Sequence, residues 1–135
     1  MSGWVTFLMD NREMAGPLDE VREVVRATGI EALSGTRAPV TGLLELRGTP
    51  VPVVDLRSGS DLSAPGDVLV LSAAEGVLGL AVDRVSSVLG PDALRPTDEP
   101  RPRGLPAYVV EVRRDAAGRP VLVVSLTALA GVVPV

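Results

Sequence analysis

The groups able to do chemistry in this chain are few in kind. The sequence has no Cys and no His, and all 13 of its basic residues are Arg. Without an imidazole, a thiol or an amine side chain it can build no Ser-His-Asp triad, no cysteine nucleophile and no Schiff base. Zinc ribbons and iron–sulfur centres are excluded on the same ground. Carboxylates, guanidinium groups and hydroxyls remain. Two acids, Asp55 and Asp83, each end an apolar run, and an Arg follows each within two residues, at Arg57 and Arg84. Paired carboxylates within roughly 5–10 Å would suit glycoside hydrolysis. The same residues suit Asp-initiated turns at strand ends, and the turn is the stronger reading. Asp61, Asp67 and Asp92 lack the spacing of a calcium loop, so no metal is expected. Gly76-Val77-Leu78-Gly79 is not a dinucleotide or phosphate fingerprint, and no cofactor is expected.

Charge and composition narrow the partners. The net charge is −4, and the aromatics are Trp4, Phe7 and Tyr108 alone. Neither a basic face nor a set of stacking platforms is evident, which argues against nucleic acid. The start Met1-Ser2-Gly3-Trp4 has no signal-peptide pattern, and no apolar run approaches the ~20 residues of a membrane span. A cytoplasmic protein without direct membrane insertion is the expectation. With 135 residues and 46% apolar content, the chain has the length of one domain and can bury a core.

The elements that must position these groups read as mostly β. Val is the commonest residue and Ile occurs once; the Val-rich runs are short and bounded by Gly, Pro, Asp and Asn. Trp4–Leu8 reads as a first strand, Asp10-Asn11-Arg12 as a turn, and Met14–Leu18 as a returning strand weakened by Gly16-Pro17. Asp19–Arg26 is either a helix capped by Asp19 or one turn followed by a strand. Residues 34–42 are loop-like, Leu43–Arg47 is a strand stopped by Gly48, and Val51–Val54 is another. Pro52 in it points to an edge or a bulge. Ser58–Gly66 is a polar loop. Asp67–Ser72 and Val77–Val82 form a hairpin, followed by a strand at Val85–Leu89. Residues 90–106 carry five prolines and form a stiff connection without regular structure. Tyr108–Arg113 and Val121–Val124 form a last hairpin, and Ser125 caps a closing helix, Leu126–Ala130, stopped by Gly131.

One segment is specific. Gly42-Leu43-Leu44-Glu45-Leu46-Arg47-Gly48-Thr49-Pro50-Val51-Pro52-Val53-Val54-Asp55-Leu56-Arg57 resembles the signature of the CheW family, the adaptors that couple chemoreceptors to a CheA-type histidine kinase. The matching points are Gly42, Arg47, Gly48, Pro52, Asp55, Leu56 and Arg57; Pro50 departs from the pattern. Leu18–Val24 and Val77–Val85 resemble two further family segments in the expected order. The resemblance implies one CheW-like domain over residues 1–135, with two intertwined SH3-like β-barrel subdomains around a shared apolar core, divided approximately as 14–66 and 67–130. It implies a non-enzymatic adaptor. Carried over residue by residue, it nominates Val21, Glu23, Val24, Gly42, Arg47, Val82 and Val85 for binding the chemoreceptor's cytoplasmic tip. It nominates Leu56, Arg57 and Leu62 as facing the kinase or another CheW-like protein.

The segment after Arg57 is shorter than the family pattern, and Leu62 alone cannot make an apolar helix face. Two readings follow: an ordinary loop deletion in a working adaptor, or an accessory adaptor resembling FrzB, with kinase binding weakened or lost. Two other classes stand beside the adaptor: a small β-barrel enzyme using carboxylates and Arg, and a structural module self-associating through sheet edges.

Overall fold

The computed structural model describes residues 2–33, 40–57, 64–73 and 76–131. The polypeptide folds into two six-stranded sheets and one short helix. Strands β1 (Trp4–Met9) and β2 (Arg12–Pro17) form a hairpin, and a 3-10 turn, Leu18–Glu20, leads into β3 (Val21–Arg26). Next come β4 (Glu31–Ala32), β5 (Gly42–Leu46), β6 (Thr49–Asp55), β7 (Asp67–Ala73) and β8 (Gly76–Val82). Then follow β9 (Arg84–Leu89), β10 (Arg95–Pro96), β11 (Val109–Arg114), β12 (Pro120–Val124) and helix α1 (Leu126–Leu129). One sheet has the order β10-β11-β12-β2-β1-β9 and the other β3-β7-β8-β6-β5-β4.

The Asp19–Arg26 ambiguity resolves as one turn and then a strand. β3 pairs antiparallel with β7, which half-buries Val21 against one core and Val25 against another. Asp10 and Asn11 form the β1–β2 turn at φ 52° and 61°, a two-residue hairpin geometry that Asp and Asn tolerate. Ser125 caps α1 by accepting the Ala128 N–H, and Gly131 follows at φ 76°. Two expectations shift. The 90–106 connection contains a short strand, β10, paired with β11. Pro52 lies in an interior strand with regular register against β5; its missing N–H is tolerated because β8 pairs with β6 only from Val53 to Asp55.

Parity along each strand explains the continuous apolar runs. In β7, Leu69 and Leu71 face one core, while Val68 and Val70 face another. The first is shared: it joins Val5, Phe7 and Met9 of β1 to Val54, Leu69, Leu71, Leu80 and Val82 of the other sheet. The second is private to the β3–β8 sheet and includes Leu44, Val53, Val68, Val70 and Ala81. A third, Trp4, Ala15, Leu94, Val121 and Val123, belongs to the other sheet. Each sheet thus buries one face in its own small core and the other in the common one. This is how two intertwined barrel-like units share a core.

The β3–β8 sheet runs from Val21 to Val82, and the flanking segments before and after it build the other. Strands β7 and β8 stay with β3–β6 because β6 and β8 pair in parallel, Val53↔Gly79 to Asp55↔Ala81.

Candidate functional site

Glu23 sits on β3, an edge strand, just past a register shift between Val21 and Glu23. Arg47 occupies the two-residue turn between β5 and β6, with Arg47 at φ 49° and Gly48 at φ 83°. In sheet order, β3 lies at one end and β5–β6 near the other, yet the two side chains meet. Arg47 Nη1 donates to Glu23 Oε1 at 3.0 Å and Nη2 to Oε2 at 2.5 Å, a bidentate pair. Their contact spans the opening of the curled sheet. The pair is accessible, with Arg47 at 71% and Glu23 at 32% side-chain exposure. The Arg47 hydrogen bond holds the Glu23 carboxyl below its ordinary range, and the Glu23 partner raises the guanidinium in turn. An exposed, fixed, bidentate pair contributes little to stability but presents a charge pattern in defined geometry.

Around it, Val24 is exposed and Val21 is half-buried against the shared core. Val85 is half-buried against the same core at the start of β9, the edge strand of the other sheet. Gly42 is buried in β5, opposite Val53, and offers no side chain. Val82 is a correction: it is fully buried, because Leu78, Leu80 and Val82 share the face of β8 that enters the common core. It supports the surface from beneath and offers no contact.

The kinase-facing set also divides. Arg57 is a correction. Its side chain is 3% exposed beside an Asp55 that is 4% exposed. Arg57 Nε and backbone N–H each donate to Asp55 Oδ1 at 2.9 Å, and Nη2 donates to Oδ2 at 2.9 Å. Nη1 donates to the Ala64 carbonyl. A guanidinium with its donors turned inward closes the chain after β6 and cannot reach a partner. Leu56, by contrast, lines an open cavity of about 330 Å³ with Met9, Asp10, Arg12, Met14, Tyr108 and Leu129. Leu62 lies outside the described residues.

The two acids weighed as a catalytic pair are each engaged elsewhere. Asp55 holds Arg57, and Asp83 Oδ2 accepts the Asp10 N–H at 2.9 Å, bracing the β1–β2 turn. Among the described residues no group of three or more acidic side chains could hold a metal ion. No helix among them is long and apolar enough to cross a membrane.

Three polar ties went unread in the sequence. Glu20 Oε1 accepts the Leu126 N–H at 3.1 Å across 106 residues, and burial, outweighing this bond, raises its carboxyl above the ordinary range; Asp19 adds to the rise. The Arg113 guanidinium lies 4.9 Å from the Trp4 ring centroid and donates to the Leu94 carbonyl, pinning the proline-rich connection. Asp67 Oδ2 accepts the Val85 N–H at 2.8 Å. The only signal for Asp67 was an acid opening a Val-rich strand.

The two sheets and their shared core agree with the comparisons to known proteins. The model of the CheW-like domain matches residues 3–133, and the chain belongs to that family. The chemotaxis protein CheW of Klebsiella aerogenes is 30% identical over 103 residues, 71% of this chain and 62% of that protein. The probable chemotaxis protein CheW of Rhizobium etli is 30% identical over 102 residues, 70% and 66% respectively. The chain therefore spans just under two thirds of the length of these relatives. The crystal structure of the scaffolding protein TtCheW from Thermoanaerobacter tengcongensis superposes with a TM-score of 0.71 at 21% identity, over 93% of this chain and 89% of that one. At that identity the likeness speaks for the fold.

Proposed function

We propose that the chain is a non-enzymatic, cytoplasmic adaptor of a bacterial chemosensory complex. It binds the cytoplasmic tip of a chemoreceptor and couples it to a CheA-type histidine kinase or another CheW-like protein. The observation that carries this reading is the exposed bidentate Glu23–Arg47 pair. With Val24 exposed and Val21 half-buried on the other face of the same edge strand, it has the make-up of a docking edge: apolar anchors near fixed charges that set register. Val85 on β9 extends the same surface in this reading.

The kinase is proposed to meet the Leu56 end of β6. Nine residues separate Arg47 from Leu56 along an extended strand, on the order of 30 Å, so the two partners would engage different ends of the molecule. The shortened segment after Arg57 weakens this second contact, which makes the chain an accessory adaptor if kinase affinity is lost. Calorimetric titration with the receptor tip and, separately, with the kinase's regulatory domain tests both halves. Receptor binding abolished by Arg47→Glu supports the surface; receptor binding unaffected by it removes the surface. Kinase affinity equal to that of a full-length family member removes the accessory assignment.

A further inference from the structure

The two edge strands that carry the proposed receptor surface belong to different sheets, β3 to one and β9 to the other. No ladder pairs β3 with β9; the sheets meet through an apolar core, which is non-directional, and through a few polar ties such as the Asp83 N–H to the Leu8 carbonyl at 3.2 Å. One further tie, made by a single acid, joins the start of β9 directly to the β3–β7 edge. Asp67 opens β7, where its backbone is paired on one side with Arg26 of β3 and on the other with Val82 of β8. Its carboxylate, 13% exposed, sends Oδ2 to the Val85 N–H of β9 at 2.8 Å, while Oδ1 lies 3.6 Å from Arg26 Nη1. The backbone around it leaves little slack. Gly66 accepts the Ala27 N–H at 3.0 Å, and a Cβ on Gly66 would lie 2.6 Å from the Val82 carbonyl.

Resting on the receptor surface proposed above, we infer that Asp67 is its positioning residue. It touches no partner itself. It locks the start of β9, with Val85, against the end of β3, and so fixes the spacing between Val85 and the Glu23–Val24 side of the surface.

The substitution Asp67→Asn separates this role from a general contribution to stability. The amide oxygen still accepts the Val85 N–H, and only the charge facing Arg26 is lost. Asp67→Ala removes both. Receptor-tip affinity is measured for the wild type, Asp67→Asn, Asp67→Ala and Arg47→Glu, well below each melting temperature, alongside amide exchange at Val85. The expected result is affinity within about twofold for the Asn variant and a loss of about tenfold for the Ala variant, in step with lost protection of the Val85 amide. Asp67→Ser, polar but too short to span the same distance, takes the place of the Ala variant if that chain does not fold, with the same expected loss. If Arg47→Glu abolishes binding while the Ala or Ser variant binds like wild type, the positioning role is overturned and the surface stands. If Arg47→Glu binds like wild type, the surface falls, and the role of Asp67 falls with it.

Discussion

Single residues in this protein do opposite things with the same chemistry. Arg57 and Arg47 both make bidentate pairs with an acid, but one pair is buried and the other exposed. Removing one member of a buried pair leaves an uncompensated charge, which costs about 3–5 kcal/mol. Arg57→Met is therefore expected to lower the unfolding free energy by about that amount, and Asp55→Asn with Arg57→Met to recover part of it, as read by urea denaturation. A double variant less stable than Arg57→Met alone would contradict the pairing. Glu20 and Glu23 differ in a parallel way. Glu23 is held low, so its contribution is complete above its ordinary range and is lost as pH falls through its folded value. Glu20 is raised chiefly by burial, so the folded state binds its proton more tightly and the charged form is penalised at neutral pH. Glu20→Gln keeps an acceptor for the Leu126 N–H and removes that penalty. Its denaturation midpoint at pH 7 is expected to equal or exceed that of the wild type, and the advantage to shrink as the pH falls towards 4.5. A lower midpoint at pH 7 whose deficit disappears in acid would show that the charge itself is needed.

Among the elements, β7 and β8 carry the most information, because their two faces enter different cores. Gly79 lies on the private face, and a Cβ there would meet Val68 Cγ1 at 2.9 Å and Val53 Cγ2 at 3.3 Å. Gly79→Ala overpacks that core and is expected to destabilise by about 1–3 kcal/mol. Gly90→Ala, with nothing within 4 Å, is the control and is expected to change stability by less than about 0.5 kcal/mol. Equal effects for the two would contradict the close packing at Gly79. The strands themselves were legible in the Val-rich runs and their Gly, Pro and Asp borders, and so were the β1–β2 turn and the Ser125 cap. Face parity was not. A run apolar at every position, such as Val68–Leu71, does not say which side is shared, and the family resemblance that nominates Val82 does not show that its side chain is buried. Arg57 was misplaced because Asp55-Leu56-Arg57 reads alike whether the chain turns inward or out; the deciding contact is the Ala64 carbonyl, seven residues on.

For the whole molecule, the resemblance to the CheW family gave the fold class from motifs spread along most of the chain. It did not give how the sheets close. Glu23 and Arg47 are 24 residues apart, one on β3 and the other in the β5–β6 turn, which belongs to strands that do not neighbour β3, so their pairing follows only from the curl of the sheet. The Val85–Asp67 tie crosses between sheets and leaves no periodic trace in the sequence. The pair could in principle be a staple for the curled sheet or a charge pattern read by a partner. Exchanging the two residues separates these roles, because Glu23→Arg with Arg47→Glu restores a staple but reverses the pattern. In the proposed function the receptor reads this pattern. The direct measurement is receptor-tip affinity for the wild type, Arg47→Glu and the exchanged pair, with melting temperatures taken in parallel. Both variants are expected to melt close to the wild type and to bind at least about tenfold more weakly, the exchange failing to rescue. Wild-type affinity in Arg47→Glu, or full recovery in the exchanged pair, would contradict this reading.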